Sequence, residues 1–337
     1  MTKSTIALLL LACTLPARAD YGNHARTPEL LARLSSQFAF DTKQLDWVRQ
    51  SLAGAQRLPQ LVEREQKAPE KTETWTQYAR RIDDDRIRHG AELLRTQRAY
   101  LARAEAEYGV PPAVIAGILG IETRYGRITG SVRVLDALAT QGFDHPTRHA
   151  FFLAELAEFF AFCRDFGFEP AQPQGSYAGA MGAAQFMPSN YRRLAVDFDG
   201  DGRRDLWTLA DAIGSIGRYL TQYDRTRAWR RGEPLVVRAQ LADAPPDGVP
   251  VNGRNVTHTV AALESLGVKA ATTLPPQTQV GLIELTLDGG GREYWLALPN
   301  FYSVMSYNPR VFYGMAVAQL AQRIEQAYAA AREETSI

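Results

Sequence analysis

Apolar residues recur every three or four positions over much of the chain, the spacing of one buried face on an α-helix. Leu30, Leu31, Leu34 and Phe38 mark one such stripe, and Leu45, Val48 and Leu52 a second. Residues 59–74 break the period. They are polar, carry Pro59 and Pro69, and read as a long connection. A charged helix is predicted from about Thr76 to Tyr108, with Ile82, Ile87, Leu93, Leu94 and Leu101 on its apolar side. The Gly- and Ala-rich stretch from Val110 to Tyr223 is again mostly helical in period. After Gly232 the texture changes: Pro234 to Leu241, Val280 to Leu287 and Glu293 to Leu298 read as strands separated by turn-rich segments, with one short helix from Thr259 to Leu266. Met315, Val317, Leu320 and Ile324 then restore a helical stripe. The pattern predicts a mainly α (α+β) protein carrying a small α/β insert.

Composition adds mostly exclusions. The chain has 337 residues, 45% apolar and 22% charged, which is ordinary for a globular protein of about two domains. Disordered, collagen-like and disulfide-stapled classes are excluded. Lys and Arg number 38 against 37 Asp and Glu, so no global charge favours nucleic acid or an anionic membrane.

The first 19 residues stand apart from the rest. Lys3 is followed by an apolar run from Ile6 to Leu15 and by Ala17-Arg18-Ala19, the layout of a secretory signal peptide cleaved after Ala19. Leu10-Leu11-Ala12-Cys13 also resembles a lipobox, in which an acylated Cys13 would anchor the protein to the outer membrane facing the periplasm. Cleavage after Ala19 leaves 36 basic side chains against 37 acidic ones. It also leaves Cys163 without a disulfide partner, so stability must come from the core.

Chemistry concentrates in two stretches. In the first, Tyr108 to Gly126, Pro111 and Pro112 suit a helix start and Gly126 a stop. Glu122 lies three, four and seven residues after Leu119, Ile118 and Ile115, so it projects from the apolar stripe. Burial raises a carboxyl pKa, and an acid still protonated near neutrality can donate to a leaving oxygen. The alternative is a buried Glu paired with Arg124 or Arg127. In the second stretch, Gly175 to Tyr191, small residues leave a backbone that a ligand can approach closely. Gln185 could hydrogen-bond a ligand, and Tyr177, Phe186 and Tyr191 could pack on sugar faces. Asp197, Asp199 and Asp201, with Gly202, follow the opening of an EF-hand calcium loop, but position 12 is Thr208, not a bidentate Glu.

Together these stretches resemble the membrane-bound lytic murein transglycosylase B family. The motifs are Gly120-Ile-Glu-Thr-Arg-Tyr-Gly126, Val134 to Thr140, Gly175 to Gly182 with Gln185-Phe-Met-Pro-Ser189, Leu298 to Tyr302 and Ser306-Tyr-Asn308. The resemblance spans about residues 28–325. It implies a lysozyme-like helical catalytic core with an N-terminal helical domain, acting on peptidoglycan glycan strands in the bacterial periplasm. Glu122 matches the family's catalytic Glu, which protonates the MurNAc–GlcNAc glycosidic oxygen and then activates the muramoyl 6-hydroxyl to form a 1,6-anhydro sugar. Ser176 and Met181 match residues near that acid, and Gln185, Tyr219, Tyr307, Asn308 and Tyr313 match the glycan groove. The family's longer EF-hand-like loop closes on an acid matching Asp211 and uses a backbone carbonyl at Arg203, so structural Ca2+ and no organic cofactor are implied.

The expected segments are a signal peptide at 1–19, an N-terminal helical region at 20–108 and the catalytic core at 109–232. The α/β insert then takes 233–298, and the rest of the core 299–337. A monomer is expected. Two other functions stay open: a hydrolytic, lysozyme-like muramidase, and a non-catalytic peptidoglycan-binding scaffold. His145 and His149 lack a zinc-protease pattern, the Phe151 to Phe162 aromatics read as core, and Asp83-Asp-Asp85 reads as a solvated helix face.

Overall fold

The computed structural model describes residues 20–66 and 73–335. The predicted signal peptide and Cys13 lie outside the described residues. The chain forms two compact units. One joins residues 20–63 to 133–173; the other joins 64–132 to 174–335.

The helices in chain order are α1 (Thr27–Phe38), α2 (Thr42–Ala53), α3 (Gln60–Gln66), α4 (Trp75–Tyr78), α5 (Asp84–Thr96), α6 (Arg98–Tyr108), α7 (Pro112–Thr123), α8 (Val134–Asp144), α9 (His149–Phe166), α10 (Pro188–Leu194), α11 (Leu209–Gln222), α12 (Val260–Ser265), α13 (Pro299–Met305) and α14 (Val311–Thr335). Among the described residues no helix is long and apolar enough to cross a membrane.

The first unit buries the aromatic run of α9. Phe152, Phe159, Phe160 and Phe162 are almost fully enclosed, and Trp47 of α2 meets Phe160 edge-on. Cys163 sits in the same core as a small buried residue. α3 falls where a long connection was expected.

In the second unit the predicted charged helix is broken. Asp83 caps α5 by accepting from the Arg86 N–H, and α6 starts after Gln97. α7 is apolar on every side and buried from Ala113 to Gly120, the signature of a helix enclosed by its neighbours. It packs against α14. A Cβ at Gly117 would stand 2.9 Å from the Val317 carbonyl, so only glycine allows this approach.

The α/β insert holds five strands: β1 (Val236–Gln240), β2 (His258–Thr259), β3 (Lys269–Ala270), β4 (Gln279–Thr286) and β5 (Arg292–Ala297). The antiparallel order is β2-β4-β5-β1-β3. Leu282 lies opposite Leu296, and both join Ala239, Val260, Leu263 and Val268 in an apolar cluster on one face. Alternation sends Arg238, Ile283 and Trp295 to the other face.

Gly117→Ala is expected to lower the melting temperature. Alanine gains up to about 1 kcal/mol of helix propensity, but overpacking against a backbone oxygen costs roughly 1–3 kcal/mol. A thermal melt followed by circular dichroism checks the sign.

Candidate active site

Glu122 is the penultimate residue of α7 and is half-buried. Its Oε1 accepts a 2.7 Å hydrogen bond from the Tyr313 hydroxyl near the start of α14. Desolvation pushes its carboxyl up to about 7, and the Tyr313 hydrogen bond offsets only part of that. Burial, with the nearby Glu122 charge, holds the Tyr307 and Tyr313 phenols well above their ordinary range. Both stay neutral donors near neutral pH.

The alternative, an ion pair from Arg124 or Arg127 to Glu122, does not form. Arg124 binds Asp83 at 3.0 Å and Asp85 at 3.2 Å, and Arg127 lies 3.7 Å from Asp85. Asp83 and Asp85 are therefore not an idle solvated face. They gather the basic side chains away from the acid.

The same network shapes the end of α7. The helix stops at Thr123, before the expected Gly126, because Arg124 (φ 49°), Tyr125 (φ 63°) and Gly126 (φ 78°) are all left-handed. Two of these are non-glycine residues, a conformation that costs roughly 1–2 kcal/mol per residue. Surrounding contacts hold them. The Arg124 ion pairs fix the first, and Tyr125 is buried with its hydroxyl donating to the Arg86 carbonyl. Arg86 Nε in turn donates to the Gly120 carbonyl at 2.9 Å, satisfying one of the last acceptors of α7.

Thr123 ties α7 to the small-residue loop: its hydroxyl donates to the Ala183 carbonyl at 2.9 Å and accepts from the Gly126 N–H at 2.9 Å. Within the loop, Ser176 Oγ accepts from the Ala178 and Ala180 N–H groups at 3.3 and 3.1 Å. Gln185, at φ 50°, donates its amide to the Thr129 and Gly182 carbonyls. These two side chains brace the loop. Met181 differs from a groove residue. It is fully buried, and its backbone pairs with Phe186. Phe186 and Tyr191 also depart from the expectation of sugar-facing rings. Both are buried, and the Tyr191 hydroxyl donates to the Arg204 carbonyl at 2.7 Å. Their packing value outweighs exposure to a ligand. Tyr177 stays half-buried, with Arg64 over its ring.

Tyr307 donates to the Ala184 carbonyl at 2.8 Å, and its ring centre lies 4.4 Å from that of Tyr219. The Tyr219 hydroxyl donates to the Ser306 carbonyl at 2.8 Å, and its ring stacks on Tyr223 at 4.4 Å. Tyr223 went unread in the sequence, although it lies four residues after Tyr219 on a helical period. Asn308 is half-buried, and its side chain makes no hydrogen bond among the described residues. Glu122, Tyr307 and Tyr313 thus form one electrostatically connected cluster. No hydrogen bond or ring contact among the described residues joins Ser176 or Asn308 to it.

The acidic loop follows α10. Carboxylate oxygens of Asp197, Asp199 and Asp211 lie within 4.8 Å of one another. Asp211 is buried and accepts from the Phe198 and Asp205 N–H groups, both at 2.6 Å; burial still holds its carboxyl above the ordinary range. Asp201 lies outside this group and accepts from the Arg203 N–H at 2.8 Å. Thr208 occupies the expected closing position because it caps α11. Three convergent oxygen donors, with no sulfur or imidazole, fit a hard cation.

This constellation belongs to a known family. The chain is a member of the transglycosylase SLT domain family, whose model matches residues 28–322. It is 36% identical to membrane-bound lytic murein transglycosylase B of Escherichia coli over 90% of this chain and 84% of that protein. The fold is that of the solved lytic transglycosylases. Catenated SltB1 from Pseudomonas aeruginosa superposes with a TM-score of 0.83 at 37% identity, over 92% of this chain and 100% of that one. Escherichia coli Slt35 in complex with calcium superposes at 0.81 with 36% identity, over 92% and 96%.

Because the folded carboxyl titrates near 7 and an unfolded Glu near 4.5, the folded state binds the Glu122 proton more tightly. Ionising Glu122 therefore weakens the fold as pH rises from about 4.5 to 7, by on the order of 3 kcal/mol. Glu122→Gln keeps the acceptor for Tyr313 and removes the charge. Its melting temperature is expected to match the wild type near pH 4.5, exceed it increasingly up to pH 7, and hold that lead above. Paired melts across this range check it.

Proposed function

We propose that the protein cleaves the β-1,4 bond between MurNAc and GlcNAc in peptidoglycan without water, leaving 1,6-anhydro-MurNAc ends. The observation that carries this reading is the desolvated Glu122 carboxyl, whose polar partner is the neutral Tyr313 hydroxyl. At neutral pH a pKa near 7 leaves both protonation states populated, as one group acting first as acid and then as base requires.

In the first step protonated Glu122 gives its proton to the glycosidic oxygen, the C1–O bond breaks, and positive charge develops at C1. The Glu122 carboxylate then accepts the proton of the muramoyl 6-hydroxyl, and that oxygen bonds to C1. The proton returns to Glu122, so the cycle closes. Tyr313 orients the carboxyl and stabilises its ionised form between the steps. Ordinary glycosidases use two carboxylates. Neither a cation nor a second carboxylate among the described residues contributes to the Glu122 shift, and the internal hydroxyl lets one carboxyl serve both steps. Tyr219, Tyr307 and Asn308 would line the glycan path, with Ser176, Met181 and Gln185 holding the loop beside it. A peptidoglycan substrate implies a periplasmic site of action.

Asp197, Asp199 and Asp211, with Asp201 and the Arg203 carbonyl, would hold a structural Ca2+. Bound there, the ion supplies charge neutralisation for a loop otherwise held by backbone amides; the calcium complex of Slt35 supports this assignment.

Two measurements follow. Mass spectrometry of sacculus digests is expected to give products one water lighter than hydrolysis, and Glu122→Gln to lower turnover by about 10²–10⁴-fold, the scale of a general acid. Products of full hydrolytic mass would mean a muramidase. Added Ca2+ at 100 times its Kd should stabilise by about 2.7 kcal/mol, an upward shift in the melting temperature that EGTA reverses. Asp197→Asn should abolish the shift.

A further inference from the structure

A cavity of about 530 Å³ opens at the other end of α7 from Glu122. Its walls are the start of α7 (Pro111, Val114), the middle of α14 (Gln319, Gln322) and the face of the sheet that carries Arg238 and Trp295. Val114 precedes Glu122 by eight residues, or about 12 Å along a helix. The volume falls in the range of small-ligand sites.

Two of its lining residues hold polar atoms with no partner. Trp295 Nε1 and Glu233 Oε2 are both enclosed and lack any hydrogen bond. The other Glu233 oxygen lies 3.6 Å from Arg230, and the Arg238 guanidinium sits 5.0 Å over the Trp295 ring. Trp229, also in the wall, is different: its N–H donates to the Gly109 carbonyl at 2.9 Å. An enclosed polar atom without a partner costs roughly 1–3 kcal/mol, and native proteins retain few of them.

The two orphans are complementary. An indole N–H only donates and a carboxylate only accepts, whereas a hydroxyl does both, so the hydroxyls of one saccharide can serve the two. The half-buried Pro111 and Trp295 rings suit the C–H face of a pyranose, and the amides of Gln319 and Gln322 suit its polar edge. Two carboxylates, Glu233 and Glu325, against the single cation Arg238 disfavour an acidic peptide.

We propose that this cavity is a second saccharide site, which takes an N-acetylhexosamine unit of a β-linked glycan away from the catalytic end of α7. Trp295 and Glu233 both line the cavity, and a change of rotamer would turn their enclosed polar atoms towards it. The choice of glycan rests on the functional reading above; the chemistry of the cavity does not. Held here, a strand stays on the protein while its other end passes Glu122.

The test uses the full chain with Glu122→Gln, so that sugar binds uncut, titrated with the β-1,4-linked N-acetylglucosamine tetramer. The chain has five Trp, and the Trp295 indole N–H resonance is the one that Trp295→Phe removes. That resonance is expected to shift saturably, and adding Gln319→Ala should weaken the titration several-fold. With Glu122 intact, Gln319→Ala should turn over a short soluble glycan within twofold of the wild type. A Trp295 resonance that stays fixed at high tetramer overturns the proposal, as does a shift indifferent to Gln319→Ala. Sacculus products lacking anhydro ends would overturn the functional reading alone and leave the indole shift standing.

Discussion

The hydrogen bond from Tyr313 to Glu122 joins two helices 191 residues apart in sequence at one desolvated carboxyl. Much of the rest of the second unit serves that contact. α7 is buried from Ala113 to Gly120 and carries the half-buried, desolvated acid at its end. Gly117 lets α14 approach closely enough to bring Tyr313 to it. A carboxyl in such surroundings would ordinarily be met by a cation, and that cation would fix it in the ionised form. Here the nearby arginines are bound elsewhere, so the proton can be held or released.

The strain after Thr123 belongs to the same design. Three left-handed residues turn the chain sharply from α7 towards the small-residue loop, and ion pairs with Asp83 and Asp85 hold the turn. The same pairs remove Arg124 from the acid. Asp83 thus both caps α5 and, with Asp85, holds the Arg124 guanidinium at the turn. The Thr123 hydroxyl then links the acid's helix to the loop opposite.

Much of this was legible in the sequence. The placement of Glu122 on an apolar stripe follows from spacing alone, and the three long strands and the insert helix fall within a residue or two of their predicted bounds. Tyr313 carried no local signal as a partner, since the contact is made by tertiary packing across most of the chain. The Asp83 cluster misled because an acidic run at a helix start reads alike whether it caps, binds arginine or faces water. The aromatic ring of Phe186 misled for a related reason: a ring beside glycines suits a sugar or a core equally, and only burial separates the two. In the acidic loop the alternate spacing picked out Asp197 and Asp199, which lie together with Asp211 from the next helix, while Asp201 falls outside that group.

The central claim is that desolvation, with no paired cation, sets the proton affinity of Glu122. Its direct test is an NMR titration of the Glu122 side-chain carboxyl carbon in the intact protein, assigned by its loss in Glu122→Gln. The account predicts a midpoint near 7. A midpoint near the ordinary glutamate value of about 4.3 would contradict it.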